Sequence, residues 1–216
     1  ADGVTNTVEL PVGRYYIKEL AAPSGYALDS MVYTADIASD QTVSVTAKDR
    51  PQNAPVSLVL SKKDSETGES LPQGAATLEG AEFTIRYYDG FYDSDPAEQG
   101  IDPERSWIMK TDQEGKVRLK DELKISGDSF YKNSAGVNTL PLGTVTIRET
   151  KAAEGYLIND TVYVRQITSS GNTETVHTYQ DVIVPEKVVR GDLRLVKFKG
   201  DLEEENDQKI PPKGIV

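Results

Sequence analysis

The sequence predicts an all-β sandwich, and three observations carry that expectation. Short β-branched and aromatic segments alternate along the chain with Gly, Pro, Asn and Asp. Helical periodicity is weak; the best helix candidate, 97–105, is short. A block of strand-like sequence also recurs, which marks a repeated β unit. In chain order the strand signals are 56–62, 81–88, 106–110, 115–119, 143–149, 161–167 and 179–186. Several short strands at this spacing suit a sandwich. Between them, 87–106 is rich in Asp, Gly and Pro and reads as a long loop, and 120–138 reads as a second insertion.

Composition narrows the function. The 216 residues carry 24 Lys+Arg against 35 Asp+Glu, a formal net charge of -11. That balance argues against a nucleic-acid partner, whose phosphates must be neutralised by Lys and Arg. It argues equally against docking on anionic membranes, and no apolar run reaches the roughly 20 residues that span a bilayer. Cysteine is absent and there is one His, which excludes disulfides, thiolate zinc sites and Cys nucleophiles and leaves little for a His-based triad. No cofactor-binding motif is visible, and neither is a nucleophile–base pair, so an enzyme is not expected.

The repeat sets the organisation. Residues 10–37 (LPVGRYYIKELAAPSGYALDSMVYTADI) align without a gap with 140–167 (LPLGTVTIRETKAAEGYLINDTVYVRQI), with 11 of 28 positions identical. Residues 57–64 likewise align with 192–199, and 45–51 more loosely with 182–188. Residues 1–53 are therefore expected to be the C-terminal half of one unit, 54–187 a complete unit with loop insertions, and 188–216 the start of the next. Such arrays usually belong to extended proteins. Links near 50–55 and 187–192 are too short for free tumbling, so a semi-rigid rod is expected.

Strand parity selects the candidate site, because alternate side chains point to opposite faces. Val56, Leu58, Leu60 and Lys62 share a face, as do Val145, Ile147 and Glu149, and Val182, Val184 and Glu186. The same parity puts Tyr15, Ile17 and Glu19 together, then Val43, Val45, Ala47 and Asp49, and in the third unit Leu193, Leu195 and Lys197. Each unit thus places a Lys, a Glu and a terminal acid on apolar faces. Buried charges are costly unless paired, so the three are expected to meet in the core. Two outcomes are open: a buried ion pair, or a neutral amine that attacks a carbonyl while the neighbouring Glu carries its proton.

At these residues the chain resembles a known family. GRYYIKELAAPSGY (13–26) and GTVTIRETKAAEGY (143–156) are similar to the E-box of CnaB-type, SpaA-like prealbumin-fold domains of Gram-positive surface proteins and pilins. LVLSKKD (58–64), GAEFTI (80–85) and TDQEGKVRL (111–119) resemble the opening strands and central hairpin of that domain. The resemblance implies stalk repeats of an extracellular, cell-wall-anchored adhesin or pilin. It also implies a Lys–Asn/Asp isopeptide bond assisted by the E-box Glu. By position Lys62 is the amine, Glu149 the proton shuttle and Glu186 the acceptor. Glu19, Asp49 and Lys197 are parts of the neighbouring sites. The chain departs from the family pattern in having Glu at 186 and Ala at 153. Glu is one methylene longer than Asp, which moves the carbonyl by about 1.5 Å, so Lys62 is expected near Glu149 and Glu186 without an amide. Asp181 is an alternative acceptor if the register slips.

Further signals carry less. Tyr87, Tyr88, Phe91, Tyr92 and Trp107 around the 87–106 loop could stack on a glycan or host protein, though alternate members at a strand end are expected to fill the core. Asp89, Asp93, Asp95 and Glu98 lack EF-hand spacing and read as a solvated loop with no metal. Arg190-Gly191-Asp192 is an RGD tripeptide in an inter-unit link, and lone His177 is expected to face solvent. The expected partners are neighbouring repeats of the same chain, and a host matrix protein or glycan through other parts of the parent.

Overall fold

The computed structural model describes residues 3–196, which form an all-β architecture. Its strands are β1 (Gly13–Lys18), β2 (Tyr26–Ala27), β3 (Val32–Ile37), β4 (Arg50–Pro51), β5 (Asn53–Ala54), β6 (Leu60–Asp64), β7 (Glu82–Tyr88), β8 (Arg105–Lys110), β9 (Lys116–Val117), β10 (Lys124–Gly127), β11 (Tyr131–Lys132), β12 (Asn138–Pro141), β13 (Gly143–Lys151), β14 (Tyr156–Leu157), β15 (Val162–Ile167) and β16 (Val182–Val188). One sheet runs β10-β8-β7-β13-β15, and a second runs β14-β16-β6-β9. Phe83, Ile85, Trp107, Met109, Val145 and Ile147 from the first pack with Leu60, Val117, Val182 and Val184 from the second. Burying each such side chain contributes roughly 1.5–3 kcal/mol, so the two inner faces hold the sandwich together.

β16 shows the sequence logic most clearly. Val182, Val184, Glu186 and Val188 are buried, whereas Ile183, Pro185 and Lys187 are exposed. β6 lies beside it in parallel, with Lys62 opposite Val184. β13 is buried on both faces over Gly143–Ile147. Its outer face is covered by the loop after β7: Thr144 Oγ1 donates to Gly90 O at 2.7 Å and accepts from the Tyr92 amide at 2.9 Å.

Residues 10–37 repeat the geometry of 140–167. β1 and β3 pair from Gly13↔Ile37 to Lys18↔Val32, and β13 and β15 pair from Gly143↔Ile167 to Arg148↔Val162. Both repeats turn through a left-handed glycine, Gly25 (φ 86°) and Gly155 (φ 83°). The next residue closes the turn, Tyr26 N–H to Pro23 O and Tyr156 N–H to Ala153 O, each at 3.1 Å. Ala153 therefore supports the turn that Pro23 makes in the other copy.

Three expectations are corrected. The proposed helix at 97–105 is a 3-10 turn, Pro96–Gln99, capped by Asp95 and stopped by left-handed Gly100, after which the chain extends to enter β8. The insertion 120–138 is not loop throughout. It supplies β10, an edge strand on β8, and β11, which pairs with β12. The 56–62 signal starts late, because 56–59 precede the ladder and only Leu60–Asp64 join it. No helix among the described residues is long and apolar enough to cross a membrane.

Candidate functional site

Lys62, Glu149 and Glu186 converge in the core. β6 and β16 bring Lys62 and Glu186 together on the inner face of one sheet, and Glu149 reaches them from β13 in the other. Lys62 Nζ lies 2.6 Å from Glu149 Oε1 and 3.0 Å from Glu186 Oε2, and all three side chains are almost wholly buried. The ammonium also stands 5.7 Å from the centroid of the Phe83 ring. Glu149 sits where the β13–β7 register shifts. Its second oxygen accepts the Asn159 amide N–H at 2.6 Å.

The two carboxylates are not equivalent. Glu149 has a donor on each oxygen. Glu186 lacks a well-directed hydrogen bond on either oxygen. Burial pushes the Glu186 carboxyl up to about 7, opposed by the Lys62 charge and reinforced by Glu149. One ammonium between two acids leaves one negative charge in excess, and a proton on Glu186 removes it. Chemically, a neutral Glu186 carboxyl beside an amine is the reactant pair for amide formation. Lys62 Nζ would bond to the Glu186 carboxyl carbon as its C–OH bond breaks; of the two protons the nitrogen gives up, Glu149 would pass one to the departing hydroxyl, which leaves as water, and keep the other.

Asn159 and Tyr163 complete the site and are absent from the parity argument. Asn159 Nδ2 donates to Pro185 O on β16 at 3.0 Å and to the Tyr163 hydroxyl oxygen at 3.3 Å. The first repeat has the same bracket: Glu19 Oε2 accepts the Asp29 amide at 2.6 Å, and Tyr33 O–H donates to Asp29 Oδ2 at 2.5 Å. The signal was present in the alignment, which pairs Asp29 with Asn159 and Tyr33 with Tyr163. Buried Asp64 was also missed. Its carboxylate accepts from the Glu66 and Thr67 amides, the Gln73 amide group and Tyr156 O–H. Those donors, Thr67 N–H foremost, hold it below the usual carboxylate range.

Among the described residues, the partial site of the preceding unit is not assembled. Glu19 is half-buried, and Asp49 is exposed in a stretch, 41–49, that forms no strand. Nothing among the described residues lies on that face as β6 and β7 lie on β16 and β13. Lys197 falls outside the described residues.

Other sequence signals resolve simply. Tyr87, Tyr88 and Trp107 are core residues, and Tyr87 packs edge-on against Tyr131 with centroids 5.2 Å apart. Phe91 alone of the five aromatics is exposed, with Tyr92 half-buried, which removes most of a stacking platform. No cluster of three or more potential metal ligands occurs among the described residues. His177 is exposed. Arg190 of the RGD tripeptide is engaged by Glu66 and by Gln73 Oε1 at 3.0 Å.

The SpaA family of prealbumin-like fold domains matches residues 1–51 and 56–181. No curated protein matches the chain in sequence. Among solved structures, the Bacillus anthracis TIE protein is 27% identical with a TM-score of 0.53, covering 83% of this chain and 26% of that one. A streptococcal ancillary pilin is 19% identical with a TM-score of 0.33, over 83% of this chain and 43% of the other. The pilus adhesin SpaC of Lactobacillus rhamnosus GG, in its open conformation, is 18% identical with a TM-score of 0.36, over 86% and 26%. The chain thus spans about a quarter of the TIE and SpaC structures and less than half of the pilin.

Proposed function

Because the chain belongs to the SpaA family of prealbumin-like fold domains, we propose that it is a stalk segment of a Gram-positive adhesin or pilin, outside the cell and held by the wall. Residues 1–53, 54–187 and 188–216 are then parts of three successive repeats. They space and stiffen, without catalytic turnover, and any host ligand is bound elsewhere in the parent.

One observation carries this reading: the first and last long strands of the complete unit, β6 and β16, are parallel neighbours. Tension on a stalk enters before β6 and leaves after β16. Parallel strands pulled from opposite ends must slide past each other, so their ladder bonds bear the load together instead of opening one by one. Lys62 lies across that shearing interface and ties it to β13 of the opposite sheet. Resistance to force is a matter of unfolding rate, and this geometry raises the barrier where the load is applied. Small-angle scattering of the parent array should show an extended rod; a compact particle would refute the stalk role.

Lys62 works here as a buried ion pair and not as an amide donor. The family's shorter acceptor is replaced by Glu186, and a misplacement of about 1 Å can cost on the order of a hundredfold in rate. The intact mass of the chain should equal that of its sequence. A deficit of one water that disappears in Lys62→Ala would show that the bond forms.

A further inference from the structure

The link that enters the complete unit is built into it. Gln52 is 1% exposed although it lies between units. Its Nε2 donates to three carbonyls of the loop after β15: Ser170 O at 3.0 Å, Gly171 O at 3.1 Å and Thr173 O at 3.0 Å. Its Oε1 accepts from Ser169 Oγ at 2.6 Å. Asn53 follows in the same groove: its amide donates to Glu174 O at 2.8 Å, its carbonyl accepts from Val176 N at 2.9 Å, and its Oδ1 accepts from Thr139 Oγ1 at 2.8 Å. β5 then pairs with β12. The preceding repeat also touches the loop directly, through Leu28 N–H to Asn172 O at 2.9 Å.

We propose that the loop 168–176, with β12 beside it, is a socket whose partner is the exit link of the preceding repeat, recognised by a primary carboxamide. Three carbonyls converge on one nitrogen and share its two hydrogens, and Ser169 supplies the donor that the amide oxygen needs; a side chain with both a donor nitrogen and an acceptor oxygen, a carboxamide, meets both demands. Glu would set a charge against three carbonyl oxygens, and Leu would bury them without a donor. The insertion between β15 and β16 thereby fixes the angle between repeats. The exits are not interchangeable. Gln52 N–H bonds Gly25 O at 2.7 Å, and the equivalent bond at the other exit is Val189 N–H to Gly155 O at 2.8 Å. The side chain presented there is an exposed valine, which is no match for a carboxamide socket.

This inference rests on the stalk reading for its purpose but is tested apart from it. The chain has no cysteine, so Thr34→Cys on β3 and Ser126→Cys on β10, both exposed, give unique spin-label sites in the full chain. The interlabel distance distribution should be narrow and become several-fold wider in Gln52→Glu. Emission of Trp107, the single tryptophan and a core residue of the complete unit, reports whether that unit stays folded. If Gln52→Glu unfolds it, the neutral Gln52→Leu decides by the same criterion. A broad distribution in the unsubstituted chain, or an unchanged width in a folded Gln52 variant, would overturn the socket whatever scattering says of the array.

Discussion

Lys62→Ala is expected to lower the stability of the complete unit by about 3–5 kcal/mol, the usual cost of removing one partner of a buried ion pair. The size follows from the surroundings: Lys62, Glu149 and Glu186 are each at most 2% exposed, so no water replaces the lost ammonium. Two acids would remain face to face in an apolar core, and Glu149 would lose the donor on one of its oxygens. Typical domains have only about 5–15 kcal/mol to lose, so the variant should sit near its unfolding midpoint at modest denaturant. Denaturant titration followed by Trp107 emission measures the loss. Lys62→Met combined with Glu186→Met and Glu149→Gln should recover part of it, since apolar side chains of similar volume can replace a buried ionic pair while the remaining amide oxygen still accepts the Asn159 N–H. A loss below about 1 kcal/mol, the range of exposed ion pairs, would mean that the three groups do not act together.

That the three residues share a core was legible because strand parity is rigid. A two-residue period leaves Lys62, Glu149 and Glu186 nowhere to point except with their apolar neighbours. What covers a face is not written in its own strand. Glu19 and Asp49 have the same parity as Glu149 and Glu186, yet they stay half-buried and exposed because, among the described residues, no facing sheet lies over them. Parity also misled at Tyr87 and Tyr88. Alternation predicts one inside and one outside, but the loop after β7 folds over the outer face, where Tyr92 packs edge-on against Tyr88 with centroids 6.3 Å apart, and both are buried. Asn159 was invisible to parity because it lies in the turn between β14 and β15, where no two-residue period applies. Gln52 looked like an ordinary linker residue, since its burial depends on a loop more than a hundred positions away.

Stability of the complete unit is expected to fall as pH rises from about 4.5 to about 7, and Glu186 is the cause. The Glu186 carboxyl is pushed up to about 7 from a reference of 4.5, mainly by burial. Between those values the folded protein keeps a proton that the unfolded chain has released. The native state binds more protons there, so the slope of unfolding free energy against pH is negative. This contribution is greatest below about 4.5, is lost through the window and is flat above about 7. Asp64 and Glu174 are displaced downward, so their stabilising contributions are lost only at lower pH and leave the window to Glu186. One pKa unit corresponds to about 1.4 kcal/mol, so a rise from 4.5 to about 7 sets the total decline on the order of 3 kcal/mol. Glu186→Gln keeps the shape, removes the proton and still offers Lys62 an oxygen. It should flatten the profile between pH 5 and 7, and at pH 8 it should be more stable than the unsubstituted chain by a similar amount. Thermal or denaturant midpoints across that range decide the matter. A slope that survives in Glu186→Gln would place the titrating group elsewhere.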